Sequence, residues 1–194
     1  VAFGLSILHR GHFLSGDDID TSVRKMAQWL APGGRLYLIA DTPYGNDGDF
    51  TSDGLIGRYN ADLANNLGNL TSRIATVVGS KCGGIGPAPV PGGPLADAAE
   101  AAVAGACAAW DAVAPHRALE ATWSLIRSTN AYLEANEPWK AEPGPDVDAV
   151  LGDAIEALRI VTVLASPALP ATAQLIWERL GLSGSVTDQR IPSD

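Results

Sequence analysis

Between residues 51 and 180 apolar side chains recur at steps of three and four, and stretches bearing proline or glycine cut that pattern into five pieces. The first can be capped by Thr51 or Ser52. It carries Ile56, Tyr59, Leu63, Leu67, Leu70, Ile74 and Val77 on one face over about six turns, and Gly79 closes it. A Gly/Pro linker, Gly83 to Pro94, leads to an alanine-rich helix from Leu95 to Val113, with Val103, Cys107 and Trp110 on one face. Pro115 precedes a third helix, with Leu119, Trp123, Ile126, Asn130 and Leu133 in register, and Pro138 ends it. A fourth spans Asp146 to Ala165 through Val147, Leu151, Ala154, Leu158, Val161 and Ala165. A fifth, Pro170 to Leu180, stops at Gly181. Five helices with short connections predict an antiparallel helical bundle, so the chain is expected to be mainly α. Residues 183–194 read as a frayed polar tail.

The first 45 residues differ. Val1 to Leu8 reads as a buried strand, Ile19, Val23, Met26 and Leu30 as a helix stopped by Ala31-Pro32-Gly33-Gly34, and Arg35 to Ala40 as a second strand. Strand, helix, strand is a parallel crossover, yet two strands and one helix cannot stand alone. The expectation is a short, incomplete β-α-β segment over 1–45, a helical bundle over 46–182 and the tail over 183–194. A first residue of Val rather than Met suggests a piece of a longer reading frame or an unusual start codon.

Charge narrows the function. The 194 residues are 46% hydrophobic, enough for a real core, and carry a formal net charge of −9. Residues 1–45 are neutral, so the whole deficit falls on the remainder. Such a surface does not attract phosphates in general, which argues against a basic-patch nucleic-acid binder. A nucleic-acid reader of this composition has to work by stacking and by base-edge hydrogen bonds. Cys82 and Cys107 are too few and too far apart for a zinc site or a disulfide framework. No apolar run approaches the roughly 18 residues of a membrane span and no signal-peptide pattern opens the chain, so a cytoplasmic location is expected.

The first long helix contains Tyr59-Asn60-Ala61-Asp62-Leu63-Ala64-Asn65-Asn66-Leu67-Gly68-Asn69-Leu70-Thr71-Ser72-Arg73, preceded by Asp47-Gly48-Asp49-Phe50. Further on come Asn130-Ala131-Tyr132, Glu137-Pro138-Trp139 and Leu164-Ala165-Ser166-Pro167-Ala168-Leu169-Pro170. Together, in this order and at these distances, they resemble the anticodon-binding helical domain of the methionyl-tRNA synthetase family over about residues 46–182. The resemblance implies that Asn69 and Arg73, one helical turn apart, read base edges of a CAU anticodon and that Trp139, just after a proline, stacks on a base. The physics is compatible. Loop bases can be splayed out onto an indole face, and one such stack contributes roughly 1–3 kcal/mol without a positive field. Without the resemblance, Asn69 reads as a helix-face amide, Arg73 as a surface cation and Trp139 as a core residue. Asn130 lies on the apolar stripe and reads as a structural amide.

The amino-terminal segment does not fit that family in this reading. His9-Arg10-Gly11-His12 spells H-x-G-H, but the nucleotide-binding fold and K-M-S-K-S loop expected around it are missing, so a strand end with two ordinary histidines is the plainer reading. Ser6 to Phe13, followed by Leu30-Ala31-Pro32-Gly33-Gly34-Arg35-Leu36-Tyr37-Leu38, is instead similar to the later strand, helix and strand of class I S-adenosylmethionine-dependent methyltransferases, without their glycine-rich cofactor loop. The family resemblance implies a methionine-tRNA ligase whose catalytic domain this chain lacks, so no catalytic residue, cofactor or metal is assigned to it. ATP and Mg are expected only with a full synthetase catalytic domain. The implied partners are tRNA with a CAU anticodon and a separate synthetase catalytic domain, with no membrane. The rival reading is a degenerate methyltransferase-related or structural pairing module that docks on a separate synthetase.

Overall fold

The computed structural model describes residues 65–189, and all regular structure among them is helical. The expected β-α-β segment, the H-x-G-H stretch and the start of the first long helix lie outside these residues. Helix α1 (Asn69–Lys81) follows a wider π turn at residues 65–68 and buries Leu70, Ile74, Val77 and Val78. It runs two residues past Gly79, where no neighbouring atom stands against the backbone.

Helices α2 (Ala96–Asp111) and α3 (Pro115–Asn136) form a hairpin. A Cβ built on Gly105 would lie 3.3 Å from that of Ala121, and the two positions are equidistant from the turn at Val113, so the helices are antiparallel. That close approach corrects the expected face of α2. The buried stripe is Ala99, Ala102, Ala106 and Ala109; Val103 and Trp110 are half-buried flanks, and Cys107 is exposed. Small side chains let the two backbones approach, and a stripe built on the larger residues would hold them apart. In α3 the stripe is wider than expected, with Ala118, Thr122, Leu125 and Thr129 buried beside Trp123, Ile126 and Leu133.

Helix α4 (Pro145–Ala165) is the centre of the bundle, in contact with α1, α2, α3 and α5 (Pro170–Arg179). All six residues expected on its core face are buried, and Leu151, Leu158 and Val161 are almost fully so. A buried side chain of this size contributes about 1.5–3 kcal/mol relative to an exposed one, so α4 carries a large share of the core energy.

The Gly83–Pro94 stretch has no regular hydrogen-bonded structure, but it is not a free linker. It lies across α4, where the carbonyl of Ala88 faces Gly152 so closely that a Cβ there would sit 2.3 Å from its oxygen. Asp153, 6% exposed, accepts from the backbone N–H of Val90 at 3.2 Å and from the Tyr132 hydroxyl at 3.4 Å. A buried carboxylate needs such partners, and it gains them by pinning this stretch to α3 and α4.

Residues 183–189 correct the expectation of a frayed tail. The chain turns at Gly181 (φ +75°) and Gly184 (φ +79°) and forms a 3₁₀ turn, Val186–Asp188. Val186 is buried at 1% exposure against Ala173 and Trp177. Gln174 accepts from the Val186 N–H at 2.9 Å and donates to the Gly184 carbonyl at 3.2 Å, while the Trp177 indole donates to Ser183 at 3.1 Å. One apolar residue in a polar stretch thus fixes the segment to α5.

Candidate anticodon-type recognition site

The three residues singled out by sequence lie on α1 and on the connection between α3 and α4. Asn69 opens α1 and is exposed; Arg73 follows one turn later on the same face. The α3–α4 connection begins where Glu137, at φ 41° and ψ 51°, ends α3 in the left-handed conformation. Its N–H still reaches the Leu133 carbonyl at 2.9 Å. Pro138 is almost fully buried, which fixes the chain as it leaves the helix, and Trp139 follows half-buried against the core.

Arg73 and Trp139 meet. The guanidinium carbon lies 5.2 Å from the centroid of the indole ring, a cation–π contact between residues 66 positions apart. Arg73 Nη1 also donates to Glu134 Oε1 at 2.6 Å. With side-chain exposures of 31% and 58%, this pair is worth about 0–1 kcal/mol, so it orients Arg73 more than it stabilises the fold. Asn69 and Arg73 share a helix face, and Arg73 and Trp139 share a contact, so a hydrogen-bonding strip adjoins an aromatic surface.

Three further ties set the register of α1. The half-buried Asn130 amide donates to the Ile126 carbonyl at 3.2 Å and the Asn66 carbonyl at 3.5 Å. This structural amide holds the turn that leads into Asn69. At the other end Lys81 Nζ donates to the Ala141 carbonyl at 2.6 Å, and Cys82 Sγ faces Asp148 Oδ1 at 3.6 Å. Positions 66, 73 and 81 therefore meet 130, 134 and 141 in the same order, so α1 runs parallel to α3. Burial, with the hydrogen bond to the Asp148 carboxylate and its charge, raises the Cys82 thiol above its ordinary range.

Two members of this arrangement, Glu134 and Lys81, were not singled out by sequence. Glu134 follows Asn130 by four residues and so shares the face of α3 that meets α1. That spacing is a usable signal. Lys81 has none, because its acceptor is a backbone carbonyl whose position depends on the loop. Among the described residues no group of three or more His, Cys, Asp and Glu side chains is arranged to hold a metal ion, and no helix is long and apolar enough to cross a membrane.

Comparison with known proteins agrees with this architecture. The family model "tRNA synthetases class I (M)" matches residues 22–75. The match starts well before residue 45, so residues 22–45 are not set apart from the synthetase family as the sequence reading had them. Methionine–tRNA ligase from Streptococcus pneumoniae is 36% identical over 157 residues, covering 76% of this chain and 24% of that protein. The Streptomyces coelicolor enzyme is 33% identical over 171 residues, covering 81% of this chain and 32% of its own length. Among solved structures, apo Mycobacterium tuberculosis methionyl-tRNA synthetase superposes with a TM-score of 0.68 at 31% identity, over 74% of this chain and 31% of that one. The chain thus spans about a quarter to a third of the length of these relatives.

Proposed function

The chain belongs, over the part its relatives match, to the methionyl-tRNA synthetase family, and from that premise we propose that its helical bundle recognises the CAU anticodon of tRNA. In this reading Asn69 and Arg73 contact base edges and Trp139 stacks on a base. The observation that carries it is the cation–π contact of Arg73 with Trp139, one helical turn from an exposed Asn69: a donor-rich cation and an aromatic face lie together.

The exchange on binding is energetically reasonable. At an exposed site a cation–π contact is worth about 0.5–1 kcal/mol, whereas a base stacked on an aromatic side chain contributes about 1–3 kcal/mol. A base can therefore take the place of the guanidinium on the indole. The guanidinium, still joined to Glu134 through one nitrogen, then turns its remaining donors to the edge of that base or its neighbour. Catalysis is assigned to other parts of a synthetase, and this bundle supplies tRNA selection to it.

A binding assay with anticodon stem-loop RNAs tests the reading. The CAU loop should bind more tightly than loops with one changed anticodon base. Equal affinity for all of them would overturn the assignment of Asn69, Arg73 and Trp139 as base readers.

A further inference from the structure

Trp139 stands in a connection held at two points. Before it, Pro138 is buried and Glu137 closes α3 through its left-handed turn. After it, the backbone is tied across to α1 by Lys81, whose ammonium donates to the Ala141 carbonyl at 2.6 Å. The turn bond from the Lys140 N–H to the Glu137 carbonyl at 2.8 Å shapes the connection locally but does not join it to α1. Asn69, Arg73 and Lys81 belong to one i+4 row of α1, interrupted by the buried Val77. The helix that carries the proposed base-reading groups therefore also holds the far side of the loop that carries the stacking group.

We propose that Lys81 is a positioning residue for recognition, setting the distance and angle of the Trp139 indole relative to Asn69 and Arg73 through its hydrogen bond to the Ala141 carbonyl. The inference rests on the anticodon-recognition reading of this site. A recognition geometry is productive only when stacking face and hydrogen-bond donors are held within a fraction of an ångström of each other, and loops hold it less well than helices. Lys81 transfers the rigidity of α1 to the loop. The arrangement differs from a phosphate-binding lysine, because here the ammonium is directed at the protein's own backbone.

The test uses the whole chain with CAU and changed-anticodon stem-loops. Lys81→Met removes the donor while keeping the apolar stem, and Lys81→Arg can still donate to the carbonyl. Lys81→Met should reduce CAU affinity about fivefold, and changed-anticodon affinity much less, because the loosened loop then has to be ordered when the base stacks. The salt dependence should stay the same, the melting temperature should hold, and Lys81→Arg should restore the preference. A fall in affinity for all loops alike, with a salt slope shallower by about 0.7, would mean that Lys81 contacts a phosphate instead. An unchanged CAU preference in Lys81→Met would equally overturn the proposal. Trp139→Leu is measured alongside: if it leaves loop binding intact, the recognition reading itself fails, whereas its failure to bind beside a normal Lys81→Met fails only the positioning role.

Discussion

Arg73 has two partners of different character, and its chemistry decides what can replace it. The Glu134 carboxylate needs only a cation, and the Trp139 ring accepts any cation although a flat guanidinium covers it better, while a base edge needs a planar group with several donors. Arg73→Lys should therefore keep the ion pair and the fold but lose about 1.5–3 kcal/mol of CAU preference in stem-loop binding. Retention of the full preference would show that charge alone is used. Trp139→Leu preserves apolar contact with the core and removes the stacking face. It should lower CAU-loop affinity by about 1–3 kcal/mol while thermal unfolding moves little. The two cysteines give a check on the structure that needs no RNA. Cys107 is exposed, whereas the Cys82 thiol is raised by burial and by Asp148, so it holds less thiolate at a given pH. Iodoacetamide at neutral pH should modify Cys107 first, and Asp148→Asn should narrow the gap. Preferential labelling of Cys82 would contradict the placement of these residues.

Among the elements, the glycines of α1 and α4 separate propensity from packing. Gly79 has no atom within 4 Å of a built Cβ, so Gly79→Ala should gain about 0.5–1 kcal/mol from helix propensity alone. Gly152 would place its Cβ 2.3 Å from the Ala88 carbonyl oxygen and 2.8 Å from its carbon, both backbone atoms that cannot swing away. The same propensity gain is then outweighed by displacement of the 83–94 stretch, and Gly152→Ala should cost about 1–3 kcal/mol in thermal or denaturant unfolding. The contrast also shows what sequence could and could not disclose. The stripe of α4 was legible because a central helix buries large residues at a regular period, and the stops at Pro138 and Gly181 follow from local chemistry. The stripe of α2 was misread because alanine and glycine give a weak periodic signal, although they are what a close helix pair needs. Likewise Asn69, Arg73 and Trp139 came from family resemblance, and the contact of Arg73 with Trp139 depends on the α3–α4 turn. Lys81, Asp153 and Val186 acquire their roles from backbone positions that side-chain spacing does not encode.

At the scale of the molecule, residues 46–194 carry the full charge of −9, so a long-range field cannot bring RNA to the site. Around the α3–α4 connection Arg73 is paired with Glu134 and Lys140 with Glu137, while Lys81 donates to the Ala141 carbonyl. Few charges are then free to neutralise phosphates. For loop RNA at about 0.7 per neutralised phosphate, the slope of log affinity against log salt should be on the order of −1 to −3. Preference for CAU should survive across the range, because stacking and base-edge hydrogen bonds release few counterions. A basic-patch binder behaves oppositely, losing affinity for every RNA steeply between about 50 and 200 mM salt. The measurement is a salt titration of the whole chain with CAU and scrambled stem-loops. A slope on the order of −6 or steeper, with both loops bound alike, would place the interaction on phosphates. Asn69, Arg73 and Trp139 would then have no part in reading bases.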